Sequence, residues 1–409
     1  MSQLSRYSEQ LLDTSFKELE ENLRRRNDEI GKMKNTDSEK SLSDLRKEMR
    51  IKWYRCPIEA KELRELSTRS DAKGYQLALG HLGIWLTTGT LTFLFANAGW
   101  WFAALILLFA HGTVGTFFIA PWHELTHGTV FQTKKLNTFF LRIFSLLGWL
   151  SFPVYQVSHN YHHRFTLHSA VDKELVLPKV PSLKPLYLLQ LFTFNFSGGF
   201  ESRGLIPTLK GFWGMATDRF NHPYFSNWDV HLFDDAPVGR QHSVRWARLV
   251  LGFHTSVLIF ALLIGQPILF FIISLHHFIG NWLWYFVGAP MHCGLRSDVP
   301  DFRKCVRTIT LDPISEFLYW HMNWHLEHHM FAAVPCYNLP KLHQAVADDM
   351  PKPRTMFGAW KEMRETYRKQ LEHPTYEFDT PVPVSKKEKF QREEQLEAAL
   401  GTESLEMVY

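Results

Sequence analysis

Features that would indicate a secreted, disulfide-stabilised or nucleic-acid-binding protein are scarce in this sequence. The four cysteines, Cys56, Cys293, Cys305 and Cys336, lie far apart and form no CxxC pair, so we expect reduced thiols rather than a disulfide framework or a thiolate metal site. A formal charge of +4 over 409 residues gives no basis for nucleic-acid binding. The N-terminal residues lack the apolar segment of a cleavable signal peptide. The cysteines are therefore expected to be reduced thiols in a cytosolic setting.

Charged and apolar residues are segregated along the sequence. Residues 1–75 and 350–409 are charged and almost free of long apolar runs, whereas 76–120 and 249–289 hold most of the aliphatic and aromatic side chains. The N-terminal tail is predicted to begin as an amphipathic helix. The C-terminal region is predicted to be helical to about Glu372 and disordered over its last 25 residues.

Four apolar segments are candidates to cross a bilayer, which takes about 20 residues. They form two pairs, 76–98 with 101–120 and 249–265 with 268–289, and each pair predicts a helical hairpin. Lysine and arginine residues flank both hairpins on the same side, which the positive-inside rule makes cytoplasmic. The expected fold is therefore an all-α, multi-pass integral membrane protein of four spans, with a cytosolic helical cap. The aromatic-rich residues 200–245 are expected to fold over that cytosolic face.

The segment 137–155 decides whether this topology holds. It is apolar but contains Arg142, and it lies between the histidine clusters HELTH (123–127) and HNYHH (159–163). A crossing here would leave the two clusters on opposite sides of the bilayer, where they could not share a metal site. If the clusters cooperate, the segment lies in the interface or re-enters the membrane. Both termini and every histidine cluster then face the cytosol.

The unusual component of the sequence is histidine, with 21 residues. Three short clusters have the spacing i, i+4 or i, i+3, i+4, which presents the imidazoles on one face of a helix. Neutral imidazoles suit zinc, copper, iron and nickel. Clusters of this kind at the ends of membrane segments indicate function. The eight candidate metal ligands are His123, His127, His159, His162, His163, His325, His328 and His329.

Eight ligands exceed what one ion takes, because a structural zinc uses about four protein ligands and a catalytic zinc about three. Two metals sharing one site are therefore expected. Redox-inert zinc gives no reason for so many nitrogen ligands, whereas iron can activate oxygen, so we predict a dinuclear iron centre. Metal-bound histidines commonly donate their second N–H to a neighbour. The candidates for that orienting role are Glu124, Asp172, Glu327, His321 and Asn323.

The set HxxxH, HxxHH and HxxHH, interleaved with two membrane hairpins, resembles the membrane-bound fatty acid desaturase superfamily, which also contains hydroxylases and carotenoid-modifying enzymes. The resemblance covers about 57–345, and it divides the chain into a charged cytosolic tail (1–56), a desaturase-like membrane and catalytic domain (57–345) and a C-terminal cytosolic region (346–409). It implies two irons, molecular oxygen as co-substrate and two electrons delivered singly, used to remove hydrogen from an unactivated C–H bond.

The resemblance also implies a further histidine ligand after the last membrane helix. His292, in GAPMHCGL, is assigned to that position. The animal acyl-CoA desaturases have an asparagine one turn earlier that helps ligation through water, whereas this sequence has Gly288. No HPGG haem motif is present, so the electron donor is expected to be a separate cytochrome b5, or a ferredoxin with its reductase.

Several functions remain open at this stage. The apolar, aromatic-rich second hairpin suits a long alkyl chain in a dry tunnel, which favours a lipid or fatty acyl substrate and desaturation of that chain. A lipid or terpenoid hydroxylase or ketolase of the same superfamily is the alternative. HELTH alone also matches the HExxH helix of a membrane zinc protease, and a non-catalytic metal transporter or receptor is a third possibility. His276, His277 and Asn281, within the last span, either line the tunnel or form bonds between helices.

Overall fold

The computed structural model describes residues 42–172, 174, 183–198, 204–220, 232–233 and 236–383. Within these residues the chain is mostly helical. The helices, numbered in chain order, are α1 Leu42–Glu48, α2 Ala60–Leu66, α3 Asp71–Asn97, α4 Trp101–Thr116, α5 Ile119–Thr126, α6 Lys134–Leu147, α7 Phe152–Phe165, α8 Pro185–Leu191, α9 Leu205–Ala216, α10 Pro237–Leu263, α11 Ile268–Phe278, α12 Trp282–Gly288, α13 Phe302–Cys305, α14 Pro313–Leu318, α15 His325–Met330, α16 Leu339–Val346 and α17 Met356–Glu372.

Two short parallel strands, β1 Ile309–Thr310 and β2 Arg354–Thr355, tie the segment before α14 to the start of α17. Side-chain caps fix several helix starts, because they satisfy backbone N–H groups that have no partner inside the helix. Asp312 accepts from the backbone of Ile314 and Ser315, and Thr355 accepts from Gly358. The last helix ends at Glu372, as the sequence predicted.

Among the described residues, three helical segments are long and apolar enough to cross a membrane: Asp71–Asn97, Trp101–Thr126 and Pro237–Leu263. The first two form the predicted hairpin, and Gly99, at φ 79°, makes its turn. Trp100 and Trp101 lie on that turn and are 65% and 58% exposed. Exposed tryptophans at this position are typical of a membrane interface.

The ambiguous segment 137–155 is not one straight span. Helices α6 and α7 meet at 148–151 with an angle of 111°, so the chain turns sharply at this point. Trp149 occupies the bend with φ 53°, and its indole N–H donates to the carbonyl of Ser274 at 2.7 Å while its ring stacks on His254. This bend allows the histidines before α6 and those on α7 to meet.

The predicted fourth span, 268–289, is interrupted in the structure. A π-helical turn covers Phe271–Leu275, a 3₁₀ turn covers His276–Phe278, and the regular helix resumes only at Trp282. Gly280 takes φ 64° at the break, where a Cβ atom would lie 2.7 Å from the hydroxyl of Thr113. Irregular backbone at membrane depth is tolerated where it is buried in protein. Where the sequence predicted four spans, the described residues thus contain three long apolar segments, one bent pair and one broken segment.

Buried polar groups hold the broken segment in place. Asn281 donates to the hydroxyl of Thr116 at 2.9 Å and to the carbonyl of His277 at 2.6 Å. His276 donates from Nε2 to the carbonyl of Leu147 at 3.1 Å. This is a bond between helical segments, which is one of the two roles that the sequence allowed for His276.

Three further predictions concern segments that the structure describes only in part or not at all. Residues 200–245 were expected to form a covering loop, but their described part is largely helical, in α9 and in the first turns of α10. The predicted N-terminal amphipathic helix and the predicted disordered end of the chain lie outside the described residues. All four cysteines are free and buried.

Candidate metal centre

The predicted ligands come from four places in the chain. His123 lies on α5 and His127 directly follows that helix, while His159, His162 and His163 lie on α7. His325, His328 and His329 form one face of the short helix α15, and His292 follows the 3₁₀ turn Ala289–Met291. The structure brings all nine together in two groups, within each of which the candidate ligand atoms lie within 4.8 Å of one another.

The first group has five members: His123, His127, His159, His163 and His328. The Nε2 atom of His159 lies 3.1 Å from that of His127 and 2.9 Å from that of His163. The Nε2 atom of His328 lies 3.1 Å from that of His127. The second group has four members: His162, His292, His325 and His329. Within it, the Nε2 atom of His325 lies 2.9 Å from that of His292 and 3.1 Å from that of His329.

These distances fit metal ligation. Nitrogen ligands at about 2.0–2.1 Å from one ion and at right angles to each other are about 3 Å apart. The Nε2 atom of His123 is buried without a hydrogen-bond partner, as expected for an atom that faces a metal. The two groups are adjacent, since the rings of His163 and His329 stack with centroids 4.3 Å apart. The donor set therefore fits two neighbouring ions.

Burial keeps the imidazoles in the form that a metal needs. Desolvation lowers the pKa of His325, His328 and His329 well below the usual range, and the neighbouring imidazoles lower each of the three further. These rings are therefore neutral near pH 7. A neutral imidazole can donate a lone pair to a metal, whereas a protonated one cannot.

Carboxylates hold several of these rings from behind. Nδ1 of His162 donates to Asp172 at 2.8 Å, Nδ1 of His159 donates to Glu174 at 3.0 Å, and Nδ1 of His123 lies 2.9 Å from Glu124. Such contacts fix the tautomer that leaves Nε2 free and raise the basicity of the ligand.

Two further ligand rings are held by neutral groups instead of carboxylates. His292 donates from Nδ1 to the carbonyl of Cys305 at 3.0 Å, and Nδ1 of His329 lies 3.1 Å from the hydroxyl of Thr166. Sequence reasoning missed Glu174 and Thr166. Thr166 lies four residues after His162 and directly follows α7, which is a usable signal, whereas nothing in the spacing distinguishes Glu174 from other acidic residues.

Three residues that were expected to orient metal ligands form hydrogen bonds with other groups. Glu327 lies on α15 between the histidines, but its carboxylate bonds Thr308 at 2.5 Å and His343 at 2.6 Å. His321 bonds Glu316 at 2.9 Å, and Asn323 donates to the carbonyl of Ile309 at 3.0 Å. None of these bonds reaches a candidate ligand, so the prediction that these three residues orient metal ligands is wrong. The helix α15 directs Glu327 away from its histidine face, whereas His321 and Asn323 lie in the turn before that helix and bond other groups.

The sequence matches the model of a known protein family over most of its length. The family model described as fatty acid desaturase matches residues 98–360, which is more than half of the chain. The matched range contains α4 to α16 and includes all nine histidines. No curated protein sequence matches the chain.

Proposed function

Because the chain belongs to the fatty acid desaturase family, we propose that it desaturates a long fatty acyl chain, with two iron ions held by the nine histidines and molecular oxygen as co-substrate. Membership of this family makes the protein a membrane-associated oxidoreductase of the desaturase and hydroxylase type. The observation that carries the proposal is the division of nine histidines into two adjacent groups of five and four.

Iron bound at these groups would supply the oxidising power that hydrogen removal from an unactivated C–H bond requires. The residues of the chain position and shield the groups. Tyr155 stacks on His159 with centroids 4.4 Å apart and on Trp122 with centroids 3.6 Å apart, and these rings cover one side of the five-member group. A site walled by aromatic rings excludes water, which limits side reactions.

The helical bundle suits an alkyl substrate. Aromatic rings pack where the end of α4 meets α12 and the end of α14: Phe117, Trp284 and Tyr319 are buried and contact each other edge to face. Apolar surroundings of this kind favour a long hydrocarbon chain over a compact polar substrate, because a buried polar group left unpaired costs roughly 1–3 kcal/mol.

The remaining features of the proposal rest on the family and on charge. We place the active site and both termini on the cytosolic side, with residues 57–345 as the catalytic domain, and we expect electrons from a separate cytochrome b5 or from a ferredoxin with its reductase. A zinc protease built on HELTH is disfavoured. Glu124, which would be its general base, is fully buried against His123, and His127 lies among imidazoles from α7 and α15.

Lipid analysis tests the proposal. The full-length chain is expressed with a compatible electron donor in a host that lacks the product, and total acyl chains are measured by mass spectrometry. Loss of two hydrogens from an acyl chain supports desaturation. A His163→Ala variant should give no product, and His373→Ala, which changes an exposed histidine outside both groups, should behave as the parent.

Other outcomes of the same experiment would overturn the assignment. The gain of one oxygen atom, or a change confined to the sterol or carotenoid fraction, would identify the hydroxylase or ketolase alternative, which begins with the same hydrogen removal. Product formation that survives His163→Ala would show that the histidine groups are not the reaction centre.

A further inference from the structure

A stacked pair of aromatic rings links the protein surface to the four-member histidine group. The partly exposed indole of Trp53 stacks on Phe302 with centroids 4.0 Å apart and planes 9° from parallel. Phe302 is fully buried, and its ring centroid lies 5.8 Å from that of His329. Trp53 and Phe302 thus form a continuous line of packed rings from the surface to one candidate ligand.

Hydrogen bonds fix this line in place. The indole N–H of Trp53 donates to the carbonyl of Arg164 at 2.9 Å. Arg55 lies over Phe302 with its guanidinium 5.0 Å from the ring centroid, and it also bonds the carbonyl of Met330, the residue after His329. The rings are therefore held against α15, which carries three of the nine histidines.

The surface around Trp53 is basic. The segment 42–56 carries five basic side chains, Arg46, Lys47, Arg50, Lys52 and Arg55, and two acidic ones. All five basic residues are exposed, and Arg164 adds a sixth positive charge, since its guanidinium bonds the backbone of Arg46 at 3.2 Å. The charges are close enough to interact, because Arg46 and Arg50 lower the pKa of Arg164 in addition to its partial burial. We call these six residues together with Trp53 the basic patch.

We propose that the basic patch docks an acidic one-electron carrier protein and that Trp53 and Phe302 conduct its electron to the metal held by His329. This inference rests on the proposed function, which needs two electrons per turnover. In each transfer the reduced carrier loses one electron, the metal gains one, and no bond is made or broken. Electron tunnelling through packed atoms weakens steeply with distance, so a compact ring stack at the docking point favours transfer.

Charge and geometry both favour a carrier protein as the occupant. A positive patch steers an acidic partner to its site and raises the association rate at low salt. Electron-transfer complexes are also weak and small, so a patch of this size suffices. An anionic lipid surface would satisfy the charges as well, but it would give no reason for the patch to be centred on a ring stack that reaches His329.

Binding of a soluble carrier tests the docking step without any need for turnover. The full-length chain in detergent or nanodiscs is titrated with the soluble haem domain of cytochrome b5 and, separately, with a plant-type ferredoxin. Arg50→Glu/Lys52→Glu should weaken binding about ten-fold or more at low salt, and the difference should shrink as salt is raised. The matched control, Lys134→Glu/Lys135→Glu, makes the same charge change at exposed positions at the start of α6 and should bind as the parent does.

Reoxidation of the prereduced carrier, followed by stopped-flow absorbance, tests the ring stack. At a carrier concentration that saturates each variant, Trp53→Leu should slow this electron transfer by about ten-fold while iron content stays unchanged. Trp53→Phe keeps a stacked ring and should restore most of the rate. Equal rates for Trp53→Leu and the parent would overturn the conduction path.

The remaining outcomes separate this inference from the proposed function. Unchanged carrier binding in the Arg50/Lys52 variant, an equal loss in the control, or binding to vesicles of anionic lipid without binding to either carrier would overturn the docking site alone. A chain that holds no iron, or that forms no product with a chemical reductant, would overturn the proposed function and the electron path together.

Discussion

The acidic residues near the histidine groups differ in their hydrogen-bond partners. Asp172 accepts from His162 and also from the backbone of Leu167 and Glu174, so it fixes both a ring and the loop after α7. Glu327 is equally buried, yet it holds His343 and Thr308. Burial and closeness in sequence therefore do not identify an orienting residue, because the direction of the side chain decides its role.

Asp172→Asn should lower metal affinity about 10–100-fold, the usual cost of removing an orienting carboxylate. The amide keeps the size of the side chain but removes the negative charge that raises the basicity of His162. The measurement is metal retention against a competing chelator. Glu327→Gln is the matched control and should retain metal as the parent does. Equal losses in the two variants would contradict the distinction drawn between them.

Among the elements, the broken segment 268–289, which contains α11 and α12, has an interruption that hydropathy does not reveal. The sequence 268–289 is largely apolar apart from His276, His277 and Asn281, and its composition predicts a continuous span. The break arises from a close backbone approach, since a Cβ atom on Gly112 would lie 2.4 Å from the carbonyl of Ile279. Contacts between segments far apart in sequence leave no periodic signal. By contrast, the hairpin at Gly99, the α17 helix and the histidine spacing are local features and could be predicted.

A substitution at Gly115 tests how the broken segment packs against α4. A Cβ atom there would lie 1.9 Å from Nδ1 of His276, so Gly115→Ala should force the broken segment to move and lower the free energy of unfolding by about 1–3 kcal/mol. Thermal unfolding of the solubilised protein is the measurement. Gly83→Ala in α3 meets open space and should be neutral or stabilise by up to about 1 kcal/mol. Similar shifts for both variants would contradict the packing of His276 against α4.

At the scale of the whole molecule, the bend between α6 and α7 bears on whether the histidine clusters lie on one side of the membrane. Two histidine clusters on either side of an apolar segment must share one side of the membrane if they share a metal site, and the 111° angle gives the chain a way to return. The division of the histidines into groups of five and four was not predictable, because both groups draw on α7 and α15.

Reporter fusions test this topology. A reporter fused after Lys135 and another fused after Tyr155 should both lie on the cytosolic side, because we expect the segment between them to lie in the interface or to re-enter the membrane. Protease protection or a compartment-specific reporter gives the measurement. Opposite locations for the two fusions would show that 137–155 spans the membrane, and the single metal site would then be impossible.

The central claim is that nine histidines hold two metal ions, and the most direct measurement is the iron content of the purified chain. We expect about two irons per chain, because a single ion takes about four such ligands. His292→Ala, which removes one member of the four-member group, should lower iron occupancy and abolish turnover while the protein stays in the membrane. One metal per chain, or stoichiometric zinc with full activity, would contradict the account.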